Sequence, residues 1–246
     1  MDYQHPRLAE IYDIAYPRDK DTDFYVSLAG PRSCSVHDLG CGAGVLCCAL
    51  AERRHQVTGV DPASAMLAIA KRKLYAERVE WIESPAQSYR SQRRFDLIVM
   101  TGHAFQVLLT DADALGVFAT MRSHLRGRGK VVFETRNPPI DWAGEWAQRP
   151  AMIHMLPNGE VTETLEGAEK DGEFISFRTC YRFPHTTLTT DSRLRFPSRE
   201  RVESLISDSG LVVRAVLGDW SAGPFQPERS REMIFLAEMA SGLPDE

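Results

Sequence analysis

The chain has 246 residues, 43% of them hydrophobic and 26% charged, and a formal charge of −5. These are ordinary values for a globular domain able to bury a real core. The acidic balance argues against a surface built to neutralise a nucleic-acid backbone, and the basic clusters at 90–94 and 122–130 read as solvated surface.

Cys34, Cys41, Cys47, Cys48 and Cys180 form no C-x-x-C pair and show no companion histidine spacing, which argues against a zinc site. Their odd number points to free thiols in a reducing compartment. The opening MDYQHPRLAEIYD carries acids and lacks the apolar stretch of a signal peptide, and no run approaches the length of a membrane span. A cytoplasmic protein with no membrane partner is expected.

Residues 1–30 read as a helical cap, with Leu8, Ile11 and Tyr12 at helical spacing, followed by Phe24, Tyr25 and Leu28. Pro31 and the serines after it form a loop. A strand then ends at Leu39, and VLCCALAERR is a helix with a basic last turn, as the helix dipole prefers. QVTGV is a strand. DPASAMLAIAKRKL is a helix with Asp61 at its cap and Pro62 at its first position. VEWI and FDLIVM are strands, TDADALGVFATMRSHL is a helix opened by Thr110, and KVVFET is another strand. Apolar strands alternating with amphipathic helices indicate a parallel sheet covered on both faces.

Between 151 and 196 the rhythm becomes antiparallel, with PNGE and KDGE as hairpin signals and EFISFRTCYRF as one long strand. Ser198 caps a helix that Gly210 ends, and LVVRAVLG and EMIFLAEM are closing strands. The predicted architecture is α/β: a mostly parallel seven-stranded sheet with helices on both faces, plus an antiparallel β insertion. One domain is expected, with a cofactor-binding core at 34–140, the β-rich insertion at 142–196 and a closing helix and strands at 197–239.

The stretch DLGCGAG, residues 38–44, puts the charge of Asp38 at the close of the first strand, just before Leu39, and then places Gly40, Gly42 and Gly44 in one short loop. Missing Cβ atoms let backbone N–H groups approach a ligand and the next helix pack closely. Asp61 ends the second strand 21 residues after Gly40, where a carboxylate can accept hydrogen bonds from two ribose hydroxyls. A dinucleotide fingerprint fits poorly, because G-x-G-x-x-G requires a small residue at Val45 or Cys47 and only the second is tolerable. Asp38 would also repel a pyrophosphate, whereas it suits a cationic cofactor.

DLGCGAG, followed by VTGVDPASAML and FDLIVMTGHAF, resembles the class I S-adenosylmethionine-dependent methyltransferases. The helical N-terminus and β-rich insertion resemble the branch acting on small molecules, including amino-sugars and small amines. The resemblance implies a Rossmann-like methyltransferase fold, S-adenosylmethionine as cofactor and S-adenosylhomocysteine as product. It also implies that Gly40, Cys41, Gly42 and Gly44 meet the methionine part, that Asp38 holds its ammonium group, and that Asp61 and Pro62 hold the ribose side. Met66 is implied beside the adenine, or is plain core. Ser84, Pro85 and Ala86 stand where the family usually has an acid beside the adenine amino group, leaving that contact to backbone or Gln87. Thr101 and Gly102 are implied to flank the sulfonium, and Tyr12 and Tyr16 to close over the cofactor or to staple the N-terminal helix. Asp61 also reads as no more than a helix cap.

Methyl transfer mainly requires alignment, and a base where the acceptor arrives protonated. His103, just past the fourth strand, is the candidate base, with a structural histidine as the alternative. Gln106, Arg136, Arg182 and Trp220 are candidate substrate residues at strand ends, in the insertion and in a late loop. Asn137-Pro138-Pro139-Ile140 differs from the Asn-Pro-Pro-aromatic motif that grips a flipped base, in position and in its last residue. The reading is therefore a metal-free enzyme methylating nitrogen or oxygen of a small-molecule acceptor, with no nucleic-acid partner. The insertion serves as acceptor lid or as a homodimer face. Competing readings are a nucleic-acid or protein methyltransferase, an NAD-dependent oxidoreductase and a non-catalytic cofactor-binding module.

Overall fold

A computed structural model describes residues 3–157 and 159–240. Two helices open the chain, α1 (Pro6–Ala15) and α2 (Lys20–Ala29). Next come β1 (Ser35–Leu39), α3 (Val45–Glu52), β2 (Gln56–Asp61), α4 (Ser64–Ala70) and β3 (Val79–Glu83). They are followed by β4 (Phe95–Met100), α5 (Asp111–His124) and β5 (Leu125–Arg136). A short helix α6 (Trp142–Ala147) leads into β6 (Met152–Leu156), β7 (Gly159–Asp171), β8 (Phe174–Phe183) and β9 (Thr186–Arg195). The last elements are α7 (Arg199–Asp208), β10 (Leu211–Leu217) and β11 (Glu232–Met239).

Seven strands form one sheet in the order β3-β2-β1-β4-β5-β11-β10. Pairing is parallel from β3 to β5, and β11 runs antiparallel to both neighbours. Every residue of β1 is buried, as a central strand covered on both faces requires. On one face Phe118 and Met121 of α5 and Leu205 and Ile206 of α7 pack against Ile98, Phe133 and Phe235. On the other, Phe24 and Tyr25 of α2 and Leu46 and Leu50 of α3 pack against Val36, Val99, Val132 and Ile234. Each such side chain contributes about 1.5–3 kcal/mol on burial. Strand order reverses between β1 and β4, so the carboxyl ends of those strands open a crevice, and the glycine loop lies in it.

The insertion is a separate four-stranded antiparallel meander, β6-β7-β8-β9. Leu8 and Ile11 of α1 pack against its Val161 and Tyr181, while Trp142 of α6 packs with Ile175 and Phe196. The opposite side of α1 presents Ala9 and Tyr12 to Ala43, Ala63 and Met66. One amphipathic helix thus joins the insertion to the glycine loop. Arg195, at the end of β9, completes the docking through ion pairs to Asp111 at 2.7 Å and Glu173 at 3.0 Å.

Several local expectations are corrected. Asp61 belongs to β2 and does not cap the following helix: α4 starts at Ser64 behind Ala63 and ends at Ala70, earlier than the sequence pattern predicts. The predicted basic last turn of α3 is absent, because the helix stops at Glu52 and Arg54 turns to a φ of 67°. The α6 helix is unforeseen; its turn is started by the Asp141 side chain accepting from Gly144 N–H at 3.0 Å. In the β7–β8 hairpin, Asp171 pairs with Phe174, so the turn is centred on Gly172-Glu173 rather than Asp-Gly. Leu156 pairs with Gly159 in the β6–β7 hairpin, which puts Gly159 at the strand edge; Asn158 lies outside the described residues.

Candidate active site

The β1–α3 loop is held from below by backbone bonds, Gly40 N–H and Cys41 N–H both donating to the Val60 carbonyl at 2.7 and 3.0 Å. The Asp61 carboxylate ties it from the side, accepting from Gly42 N–H and from Ala63 N–H, each at 2.8 Å. Burial raises the Asp61 carboxyl above the usual range, against the pull of these two bonds. The glycines divide by role. A Cβ on Gly42 (φ 53°) would have only Met66 Cε at 3.8 Å and Tyr12 Cε1 at 3.9 Å for neighbours, so this residue faces a narrow slot. A Cβ on Gly44 (φ 75°) would strike Trp81 Cη2 at 2.5 Å and Ala70 Cβ at 2.8 Å. Gly44 therefore serves the packing of α3 on β3 and α4, and its side-chain position faces away from the slot.

Asp38 is 1% exposed, and among the described residues only Oδ2 of its carboxylate has a partner, the Cys47 thiol at 3.3 Å. Oδ1 is a buried oxygen without a hydrogen bond. Desolvation, with smaller pushes from Asp61 and Glu134, raises the carboxyl to about 7 despite the Cys47 bond. An orphaned buried carboxylate oxygen beside a slot free of Cβ atoms suits a ligand that brings a positive charge.

Tyr12 roofs the slot. Its ring lies by Gly42, and its hydroxyl is 3.4 Å from the place a Cβ on Gly102 would take, so it spans the β1 and β4 loops. Tyr16 lies against it with the rings tilted by 41° at 4.7 Å between centroids, and Tyr3 meets it edge-on at 5.6 Å. Burial raises the hydroxyl of Tyr3 to about 12 and raises that of Tyr12 as well. The Pro62 carbonyl accepts from Gln4 Nε2 at 2.7 Å, which ties the start of the chain to the β2 loop. Met66 is 2% exposed and belongs to the Ala43–Ala63 cluster. After β3, Ala86 is buried against α5, and the Gln87 carbonyl accepts from Thr120 Oγ1 at 3.2 Å. Ser84 N–H donates to the Asp61 carbonyl at 3.2 Å, which ties the residue after β3 to the end of β2.

At the end of β4, the Thr101 carbonyl accepts from Ala104 N–H at 3.3 Å, and His103 has a left-handed φ of 58°. That backbone is held by Glu134, which accepts from His103 N–H at 2.7 Å and from the Tyr25 hydroxyl. Glu134 is 1% exposed, and burial raises its carboxyl above the usual range. So fixed, the His103 ring bonds Glu232 Oε2 through Nε2 at 2.8 Å. Glu232 opens β11 and is in register with Arg136, yet gives its carboxylate to His103. Arg136 donates Nη1–H to Gln106 Oε1 at 2.7 Å, and Gln106 donates Nε2–H to the Arg195 carbonyl at 3.0 Å. The guanidinium lies 5.4 and 5.3 Å from the ring centroids of Trp142 and Trp146.

Two candidate substrate residues are placed elsewhere. Arg182 is exposed on the outer face of β8 with Glu166 at 3.8 Å, because β8 turns its alternate residues Thr179 and Tyr181 inward. Trp220 packs on Phe24 and Tyr25, at 5.7 and 6.0 Å, and so braces α2. In exchange the fold contributes Tyr3, Glu134 and Glu232. Glu134, an acid near the end of an apolar strand, carries a readable signal; Glu232 carries none, since only the antiparallel register of β11 brings it to His103. Among the described residues no group of three or more His, Cys, Asp or Glu side chains converges as a metal site would, and no helix is long and apolar enough to cross a membrane.

Residues 36–129 match the model of a methyltransferase domain. The chain is 22% identical to a cypemycin N-terminal methyltransferase from Streptomyces sp over 204 residues, 83% of this chain and 82% of that protein. It is 32% identical to the ubiquinone biosynthesis O-methyltransferase of Stutzerimonas stutzeri over 143 residues, but spans only 58% of that enzyme. In fold, the CcbJ methyltransferase from Streptomyces caelestis matches with a TM-score of 0.79 at 17% identity, covering 98% of this chain and 100% of that one. The motif order, the sheet order and these matches agree: residues 36–129 form a methyltransferase domain, and the fold is that of the S-adenosylmethionine-dependent methyltransferases.

Proposed function

We propose that the protein methylates nitrogen or oxygen of a small-molecule acceptor held between the carboxyl ends of β4 and β5 and the inner face of the insertion, with His103 as general base. The observation that carries this is the His103–Glu232 pair at 2.8 Å, one residue beyond Gly102. The two sequence relatives, an N-terminal methyltransferase and an O-methyltransferase, support an acceptor atom of either kind.

The cofactor supplies a methyl group on a positively charged sulfur. Asp38 Oδ1 would accept from its ammonium group, Gly40, Cys41 and Gly42 would line its amino-acid part, and Asp61 would accept from the ribose beside Pro62. Met66, Ser84, Ala86 and Gln87 would border the adenine. Tyr12, packed against Tyr16, and the Thr101–Gly102 turn would exclude water from the reacting centre. With Nε2–H donating to Glu232, His103 keeps its lone pair on Nδ1, where it can take the proton that a protonated amine or a hydroxyl must lose. Glu232 stabilises the imidazolium that results. Gln106 and Arg136 stand beside this pair, and the insertion covers it as a lid.

The experiment follows a labelled methyl group from S-adenosylmethionine onto panels of amines, phenols and amino-sugars, with S-adenosylhomocysteine affinity measured alongside. His103→Ala should cut transfer at least about a hundredfold while changing that affinity less than about twofold. Transfer at the wild-type rate removes His103 from the mechanism, and label found on RNA or protein instead of the panel overturns the small-molecule reading. A second role for the insertion, as a homodimer face, is favoured by Ile153 and Met155, which are 63% and 68% exposed on its edge strand β6. A monomer by sedimentation at all concentrations removes that role.

A further inference from the structure

The Arg136 guanidinium lies in the cleft and, among the described residues, has one hydrogen-bond partner, Gln106 Oε1 at 2.7 Å. Among the described residues it forms no ion pair within 4.0 Å, although Glu232 stands beside it across the β5–β11 ladder. That carboxylate is turned to His103 at 2.8 Å, and Glu134 is taken by Tyr25 and His103 N–H. The other N–H groups of Arg136 are thus uncommitted, and burial has already lowered its proton affinity. Arg136 is half-buried, so the N–H groups that Gln106 does not take line the cleft and can donate to a ligand that enters it.

The surroundings hold this side chain in one pose. Gln106 is fully buried and is itself anchored by the Arg195 carbonyl, so its oxygen cannot turn away. The indoles of Trp142 and Trp146 lie within 5.4 Å of the guanidinium carbon and favour a flat, stacked arrangement. A planar fork with free donors, on the strand end that pairs with the Glu232 partner of His103, matches the two oxygens of a carboxylate. A phosphate dianion fits less well, since its second charge would face Glu232 and Glu134.

We propose that Arg136 binds a carboxylate of the methyl acceptor and so selects acceptors that carry an acid group near the nucleophilic atom. This rests on the reading that the cleft beside His103 is the acceptor site. Gln106 is then a positioning residue that aims the fork.

The test titrates benzoate, benzamide and phenyl phosphate into protein saturated with S-adenosylhomocysteine, following changes in protein NMR shifts at Trp142 and Trp146. Benzoate should bind roughly tenfold or more tighter than benzamide, and Arg136→Gln should bring the two within about twofold. Arg136→Lys keeps the charge without the fork and should retain an intermediate preference. Melting temperature and S-adenosylhomocysteine affinity, both expected to stay near wild type, report folding of each variant. Equal binding of benzoate and benzamide, no binding of either, tighter binding of phenyl phosphate, or a preference that survives Arg136→Gln each overturns the proposal. Failure of S-adenosylhomocysteine to bind the wild-type protein would instead overturn the cofactor-site assignment, so the two failures are distinguishable.

Discussion

Replacing Asp38 with Asn should stabilise the cofactor-free protein at alkaline pH while weakening its hold on S-adenosylhomocysteine. Asp38 is an acid whose folded value is raised to about 7 from an ordinary 3.8. A raised acid contributes full stability below its unfolded value and loses it as pH rises through the folded one, because the folded state there holds the extra proton. Ionising Asp38 in the fold therefore costs roughly 4 kcal/mol by pH 8, of which more than half develops between pH 5 and pH 8. Asparagine, which never ionises, escapes this cost. For a chain of this length the variant's advantage in melting temperature should grow by about 5–10 °C over that range. Ligand binding runs the other way. The ammonium group needs the ionised carboxylate, so wild-type affinity should rise about tenfold from pH 6 to pH 8. The Asn variant should bind about 10–100-fold more weakly, with that rise missing. Differential scanning fluorimetry at both pH values and calorimetric titration of S-adenosylhomocysteine measure the two effects. A variant with wild-type affinity, or with no melting-temperature gain at pH 8, would refute the link between the orphaned Oδ1 and the ligand's charge.

Glu232→Gln should lower turnover by about 10–100-fold with little change in S-adenosylhomocysteine affinity, since it removes only the charge that stabilises protonated His103; an unchanged rate in steady-state assays would separate Glu232 from catalysis. His37 is 0% exposed with both ring nitrogens unbonded, and burial drives it down to about 3. The unfolded chain takes that proton first, so stability present above about pH 6.5 is lost on acidification, about 2 kcal/mol of it by pH 5. His37→Leu should remove this term, visible as a melting-temperature difference from wild type that widens between pH 7.5 and pH 5; a constant difference would contradict it. Gly44→Ala should destabilise by about 2–4 kcal/mol, because the new methyl collides with Trp81 and Ala70. Gly42→Ala meets no protein atom within 3.8 Å and should cost only the roughly 1–2 kcal/mol of its left-handed backbone, yet it should abolish S-adenosylhomocysteine binding. Thermal melts with and without the ligand separate the two; equal effects would show that both glycines serve packing alone.

Periodicity and local chemistry determined a large share of this molecule. Alternating apolar strands and amphipathic helices specify a doubly covered sheet, the Thr110–Asp113 capping box and the Ser198 cap start α5 and α7 at the predicted residues, and Asp38, next to last in β1, and Asp61, last in β2, bracket a loop of small residues. These are signals carried within a few residues of chain, so they survive without tertiary context. The acceptor side was decided differently. Glu232 reaches His103 only because β11 enters antiparallel beside β5, and Gln106 aims Arg136 only because the end of β9 supplies its anchor. Arg182 was lost to the outer face by the two-residue repeat of a strand, whose register is set by neighbouring strands and by the helix packed beneath them. Asp38 shows both levels in one residue. Its place at the loop is written in the order of the chain, while its proton affinity comes from α2, α3 and the sheet closing around it and leaving one oxygen without a partner.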